Sequence, residues 1–433
     1  MKKIYFILLG LAITFNSLAQ QRLTLQDAVN TALKNSYDIQ LLKNALDIST
    51  INNNIGIAGG LPTVTATAND NEQITNINQK FSDASRDAKQ NNVTANILTA
   101  NVTGSMLLFN GYRVKATKNR LAQLQLQSNS LLNVQIQSTI ANVITTYYDV
   151  VRQQSYLKTI LQSIDVSKQR LTILQNRKNV GLSNNADLFQ AQLDVNALLQ
   201  QQQAQQLVID LAKTDLLNLL SAKPDSTIVI SDTIIINNNI NLETIKAAIK
   251  NNPQILAAEQ QIAINTLIEK ETAALRYPSL RANTGFNFNN NKTEGGFARL
   301  NQSYGPFIGL NLAVPLYSGG IIKRQEKIAS INTKSAATQR DILLLNFEAN
   351  VVRNYQAYTN TLQQLKTEKE NYDLSVKLLD LVLQRFQLGQ ATIIDVKLAQ
   401  QTFENEGYRL INLSYAAKAA EISLQQIANQ LVF

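Results

Sequence analysis

Hydrophobic and polar positions alternate with period two in two runs late in the chain. Leu280, Ala282, Thr284, Phe286 and Phe288 interleave with Arg281, Asn283, Gly285, Asn287 and Asn289. Tyr304, Pro306, Ile308, Leu310, Leu312 and Val314 interleave with Gly305, Phe307, Gly309, Asn311 and Ala313. Alternation over about ten residues is the mark of a strand with two unlike faces, and is also the length of a tilted membrane strand. An earlier stretch carries a fainter copy. Val64, Ala66 and Ala68 alternate with Thr63, Thr65 and Thr67; a polar loop is expected over 70–92, and a second extended run ends at Phe109. The pattern predicts two β-hairpins, over 62–109 and 278–317.

After each hairpin the period changes to that of a helix. Residues 112–178 and 321–388 contain neither Pro nor Gly. As helices each would be about 100 Å long at 1.5 Å per residue. Return helices are expected over 185–220 and 393–431. Heptad positions in the first return are Leu188, Ala191, Val195, Leu198, Gln202, Gln205, Ile209, Ala212, Leu216 and Leu219. The same register in the second is Val396, Ala399, Phe403, Glu406, Leu410, Leu413, Ala417, Ala420, Leu424 and Ile427. Such a repeat makes a coiled-coil seam, although a generic helical bundle would also satisfy it. Opening helices are expected over 24–58 and roughly 242–274.

These elements recur because the chain is a duplication. At a shift of 216, Ala32, Lys34, Asn35, Ile39 and Pro62 meet Ala248, Lys250, Asn251, Ile255 and Pro278. At a shift of 208, Gly111, Tyr147, Arg177, Gly181, Asp187 and Ala191 meet Gly319, Tyr355, Arg385, Gly389, Asp395 and Ala399. A longer first hairpin loop accounts for the change of offset. The expected organisation is a first repeat over 20–220, an inter-repeat segment over 221–240 and a second repeat over 241–433.

Composition narrows the function. The 433 residues include no His and no Cys. Disulfides, thiolate nucleophiles and zinc–sulfur sites are excluded, and the commonest general base and metal ligand is missing. No catalytic residue, metal site or cofactor is expected. The excess of 40 Lys and Arg over 31 Asp and Glu has no basic run interleaved with aromatics, so nucleic acid is not an expected partner. Lys2 and Lys3, the apolar run Ile4–Phe15 and the small residues of Ser17-Leu18-Ala19 predict a signal peptide over 1–19. No later stretch is long and apolar enough for a membrane helix, so a membrane crossing would have to use strands closed into a barrel. Four strands cannot close one. Either several chains share a barrel, or the strands form a small soluble sheet on a periplasmic coiled-coil scaffold.

Several short motifs, in order, resemble the TolC-type outer-membrane efflux proteins over essentially the whole chain after residue 19. They are Leu23-Thr24-Leu25-Gln26-Asp27-Ala28; Leu61-Pro62 and Tyr277-Pro278; Leu108-Phe109-Asn110-Gly111 and Leu316-Tyr317-Ser318-Gly319-Gly320; and Val180-Gly181-Leu182-Ser183 and Leu388-Gly389-Gln390-Ala391. The resemblance implies a mainly α fold with membrane β. It would be a homotrimer with a shared twelve-stranded β-barrel in the outer membrane, continued by a coiled-coil α-barrel into the periplasm. It further implies a passive exit duct of a tripartite efflux or type I secretion system, docked to a periplasmic adaptor and an inner-membrane transporter.

The same resemblance assigns roles at the helical turns. Arg177, Gly181, Leu182 and Ser183 map to one periplasmic tip, and Arg385, Gly389, Ala391 and Thr392 to the other, as adaptor-docking residues. Asp187 and Asp395 are constriction candidates, where rings of carboxylates would favour cations. Both aspartates also fit a simpler pattern. Asn184-x-x-Asp187 and Thr392-x-x-Asp395 read as capping boxes at a helix start, and Gly181 and Gly389 read as helix stops. Leu398 stands where the family often has a second acid, beside Lys397, which weakens a cation-selective gate.

Overall fold

The computed structural model describes residues 21–295 and 298–431. The expected signal peptide and the terminal Phe433 lie outside the described residues. The chain divides into two compact units. Among the described residues, one comprises 44–130, 256–295 and 298–342; the other comprises 21–43, 131–255 and 343–431.

The strand-bearing unit is built on a four-stranded antiparallel sheet. Its strands are β2 (Thr63–Gln79), β3 (Ala88–Phe109), β5 (Ser279–Thr293) and β6 (Leu300–Ala313), in that order across the sheet. (β1, Gln21–Arg22, and β4, Ile228–Val229, belong to the other unit.) Register determines which side chains share a face. Val64 lies opposite Gly104, Gly104 opposite Thr284, and Thr284 opposite Ile308. The next rows on that face join Ala66, Val102, Phe286 and Pro306, then Ala68, Ala100, Phe288 and Tyr304. Leu280 pairs with Leu312, and Ala282 with Leu310. This face is an apolar band. The other face carries Thr65, Thr103, Gly285 and Phe307, then Thr67, Asn101, Asn287 and Gly305, then Asn69, Thr99, Asn289 and Ser303.

The band stops where its own pleat turns polar. Its next row is Asp70, Leu98, Asn290 and Gln302. Asn96 donates to both Asp70 and Glu72 at 2.7 Å. From Leu280 to Phe288 the band spans about 27 Å along the strand, hence about 20 Å at the usual tilt, close to a membrane barrel's apolar girdle. Aromatic residues mark both ends: Phe286, Phe288 and Tyr304 at one, and Phe109 and the highly exposed Tyr277 and Tyr317 at the other.

The expected loop over 70–92 is largely strand. β2 runs on to Gln79 and β3 begins at Ala88. Beyond the band neither face needs to be apolar, so the ladder continues without the alternation that would reveal it. A register shift between Thr75 and Ile77 interrupts it, and there the Asn76 side chain accepts from the Asn92 amide at 2.8 Å.

The second unit is held together by helix packing. Its helices are α1 (Leu25–Asn35), α4 (Asn185–Leu219), α5 (Leu242–Ala248) and α8 (Ile393–Ile427). α2 (Tyr37–Asn52), α3 (Arg113–Asn179), α6 (Pro253–Ala273) and α7 (Ile321–Gln387) contribute residues to both units. None of the twenty heptad positions of α4 and α8 is exposed. Ala191, Val195, Ile209 and Leu216 of α4, and Val396, Ala399, Phe403 and Leu424 of α8, are buried. A core of Ala28, Val29, Val143, Tyr147, Val150 and Leu216 collects the inter-repeat segment, where β4 pairs in parallel with β1. The fully buried Tyr147 donates to Asp232 and to the Leu23 carbonyl, and burial pushes its hydroxyl pKa far up.

The opening helices are broken, although the sequence pattern predicts a single helix in each repeat. Ser36 separates α1 from α2, with its side chain accepting from the Ile39 amide at 3.4 Å. Asn252 separates α5 and a short 3-10 turn from α6, because Pro253 disfavours helical backbone in the residue before it. α8 ends at Ile427, short of the expected 431. Asn429 is left-handed and the Gln430 amide returns to the Gln425 carbonyl at 2.9 Å, which closes the helix. Ser221 and Ala222 end α4 in the same way. No helix among the described residues is long and apolar enough to cross a membrane.

Candidate functional site

The two helical turns of the second unit share one geometry. At the end of α3, Gly181 is left-handed at φ 77°, and the Leu182 amide reaches back to the Arg177 carbonyl at 2.8 Å. At the end of α7, Gly389 has φ 79°, and the Gln390 amide reaches the Arg385 carbonyl at 2.8 Å. Glycine takes this conformation without the Cβ penalty other residues meet.

The next helices start from different caps. Thr392 and Asp395 form a complete capping box: the Asp395 amide donates to Thr392 Oγ1 at 3.2 Å, and the Thr392 amide donates to Asp395 Oδ2 at 2.7 Å. The backbone bond from Thr392 holds the Asp395 carboxyl below its ordinary pKa, helped by the Thr392 hydroxyl and Arg385. At the other turn the Asn184 side chain accepts from the Asp187 amide at 2.8 Å. That is the forward half of the box, with asparagine as the cap.

Arg177 joins the turns. Its Nη2 donates to the carbonyl of Phe386, and its guanidinium sits 4.7 Å from the centroid of that ring. Phe386 is buried in a cluster with Leu174, Ala191 and Val396, against which Ala391 also packs. Arg385 instead closes its own turn by donating to the Gln390 carbonyl at 3.2 Å. Ser183 Oγ is buried without a protein partner. Val180, Leu182, Leu388 and Ile394 are strongly exposed, so both turns present apolar side chains to their surroundings.

Two polar clusters along the same helices escape sequence reasoning. Arg170, 1% exposed, donates to Asp194 at 2.5 Å, and Lys397 reaches the same carboxylate at 3.2 Å. The three residues sit on α3, α4 and α8, so the cluster ties both repeats together. The only available signal is charge on the flanks of the seam, which usually means a solvated face. The second cluster is Glu368 on α7 with Glu406 and Arg409 on α8. Burial and the adjacent Glu406 carboxyl push the Glu368 pKa up to about 7, against the pull of Arg409. An acid whose folded pKa is raised favours the fold while protonated and loses that contribution as pH rises from about 4.5 to about 7. Glu368→Gln is therefore expected to raise the melting temperature at pH 8 and to flatten its pH dependence between 5 and 8. A variant with the wild-type slope would contradict the raised pKa of Glu368.

A duplicated chain with a two-faced membrane sheet and paired helical hairpins defines the class of outer-membrane channel proteins. The outer membrane efflux protein family matches over residues 28–222 and again over 244–430. The chain belongs to that family. It is 25% identical over 319 residues to the outer membrane protein TolC of Vibrio cholerae, covering 70% of each chain. It is 23% identical over 442 residues to TolC of Escherichia coli, covering 96% of this chain and 84% of the relative. The fold resembles the Vibrio cholerae outer membrane protein VceC, with a TM-score of 0.77 at 16% identity over 94% of this chain and 96% of that one. The protein is thus an efflux channel of the outer membrane, and the soluble scaffold alternative is set aside.

Proposed function

We propose that three copies close a twelve-stranded barrel, and that the chain is the passive exit duct of a tripartite efflux or type I secretion system. One observation carries this reading: a four-stranded sheet with a lipid-compatible face and two edges, β2 and β6, that no other described strand pairs with. β2 and β6 run in opposite directions, so the β6 edge of one chain can continue the antiparallel order onto the β2 edge of the next. That interface is heterologous, and cyclic symmetry closes it without leaving an edge in lipid.

In the second unit, the two turns form the docking surface for a periplasmic adaptor. Leu182 and Leu388, 77% and 72% exposed, are its apolar contacts. Gly181 and Gly389 shape the turns, and Arg177, Ser183, Ala391 and Thr392 support them. Asp395, and to a lesser extent Asp187, places carboxylates near a constriction while also capping a helix. An inner-membrane transporter would complete the path.

The test has two parts. Detergent-extracted protein is expected to have three times the chain mass. Photo-cross-linkers placed at Leu182 and Leu388 in cells are expected to capture an adaptor, whereas one at Leu207 on α4 is not. A monomer in detergent, or equal capture at all three positions, would sink the proposal.

A further inference from the structure

Charge on the polar face of the sheet is concentrated in one residue. Over residues 63–75, 93–109, 279–293 and 301–313, that face carries Thr, Asn, Ser, Gly, Gln and a few apolar side chains. Within these residues it carries no Asp or Glu. Asp70, Glu72 and Lys292 are on the other face, beyond the apolar band. The polar face of these four segments has a single charged side chain, Arg281.

Arg281 is exposed, opposite Leu107 of β3 and Asn311 of β6. Its guanidinium meets the Ser105 hydroxyl at 3.5 Å. A hydroxyl does not neutralise a guanidinium, and no carboxylate on this face is placed to do so. The duplication adds to the point. At the shift of 216, the first repeat places Thr65 at the equivalent position, so each chain contributes one such charge.

We infer that Arg281 sets the charge preference of the barrel lumen, favouring anionic over cationic solutes. The inference rests on the shared-barrel reading proposed above. Twelve strands about 4.8 Å apart, tilted by about 40°, give a backbone radius of about 12 Å. An arginine reaches roughly half of that. Any solute crossing this level passes within about one Debye length of a guanidinium, so screening at physiological salt leaves much of the field in place. Three like charges on an otherwise uncharged wall add at the axis. The Asn and Thr rows around them supply hydrogen bonds of either polarity and so do not offset the preference.

Absence of cysteine from the chain makes the test specific. Asn283 is two residues along β5 from Arg281 and on the same face. In Asn283→Cys protein in intact outer membranes, the rates of labelling by a negatively charged and a positively charged methanethiosulfonate of similar size are compared. The measurement is repeated with Arg281→Gln added, and Ala282→Cys serves as the lipid-side control. The ratio of anionic to cationic rates is expected to fall about threefold to tenfold when Arg281 is replaced, from a few charges acting over about 7 Å in screened water. An unchanged ratio, with the thiol of the Asn283→Cys variant still reactive, overturns the inference and leaves the barrel standing. If that thiol is unreactive, or if the one introduced by Ala282→Cys reacts equally well, the barrel reading itself is overturned.

Discussion

Ile308→Arg is expected to remove the protein from the outer membrane, whereas Gly309→Arg is expected to leave it there. Ile308 sits in the middle of the apolar band, 88% exposed in the isolated chain and opposite Thr284. Gly309 is the next residue and points to the polar face, where an added Cβ would meet nothing within 4 Å. One arginine near the bilayer midplane costs a membrane barrel about 2–4 kcal/mol, and a shared barrel takes that cost once per chain. Three copies together shift assembly by several powers of ten. The neighbouring substitution adds the same charge to a wet lumen and should cost little. Fractionation and the heat-dissociable oligomer on gels would check both variants. Equal tolerance of the two substitutions would mean that this face does not meet lipid.

The sharpness of that contrast explains how much of the fold is legible without coordinates. Where one face of a strand meets lipid and the other meets water, selection leaves a period-two record, and Leu280–Phe288 shows it plainly. The heptads of α4 and α8 are equally legible, because a seam between helices excludes water at every third and fourth residue. Legibility fails where the environment is the same on all sides. β2 beyond Asp70 is polar on both faces, so its sequence resembles a loop although its ladder continues to Gln79. The break at Pro253 is visible in the residue itself, whereas the break at Ser36 depends on packing and a local side-chain bond.

The turns show the same limit in another form. Gly181, Gly389 and the Thr392-x-x-Asp395 box are local patterns, and local patterns can be read from spacing. The bond from Arg177 to Phe386 joins residues 209 positions apart. Repeat symmetry gives no hint of it, since Arg385, the equivalent arginine, turns back on its own loop. The two halves therefore keep the arginine and differ in what it contacts. The asymmetry gives Arg177 a role beyond ending a helix: it fastens the first hairpin to the second.

Arg177→Ala is accordingly expected to loosen the turns and increase leakage through the duct. The substitution removes a charge-assisted hydrogen bond to a carbonyl, worth about 1.5–3 kcal/mol, and a cation–π contact worth about 0.5–2 kcal/mol. Even the lower end of that range is enough to change a two-state equilibrium between packed and separated hairpins about tenfold or more. Mean conductance in planar bilayers and cellular sensitivity to a large antibiotic should both rise. Arg177→Lys keeps a cation over the Phe386 ring but loses the planar fork, so it should fall between alanine and wild type. Phe386→Ala removes the ring and its buried packing, so it should be at least as leaky and also less stable, by about 3–5 kcal/mol. If Arg177→Ala left conductance and sensitivity unchanged, the contact would be incidental to opening, and the docking proposed for the exposed apolar residues of the turns would be untouched by that result.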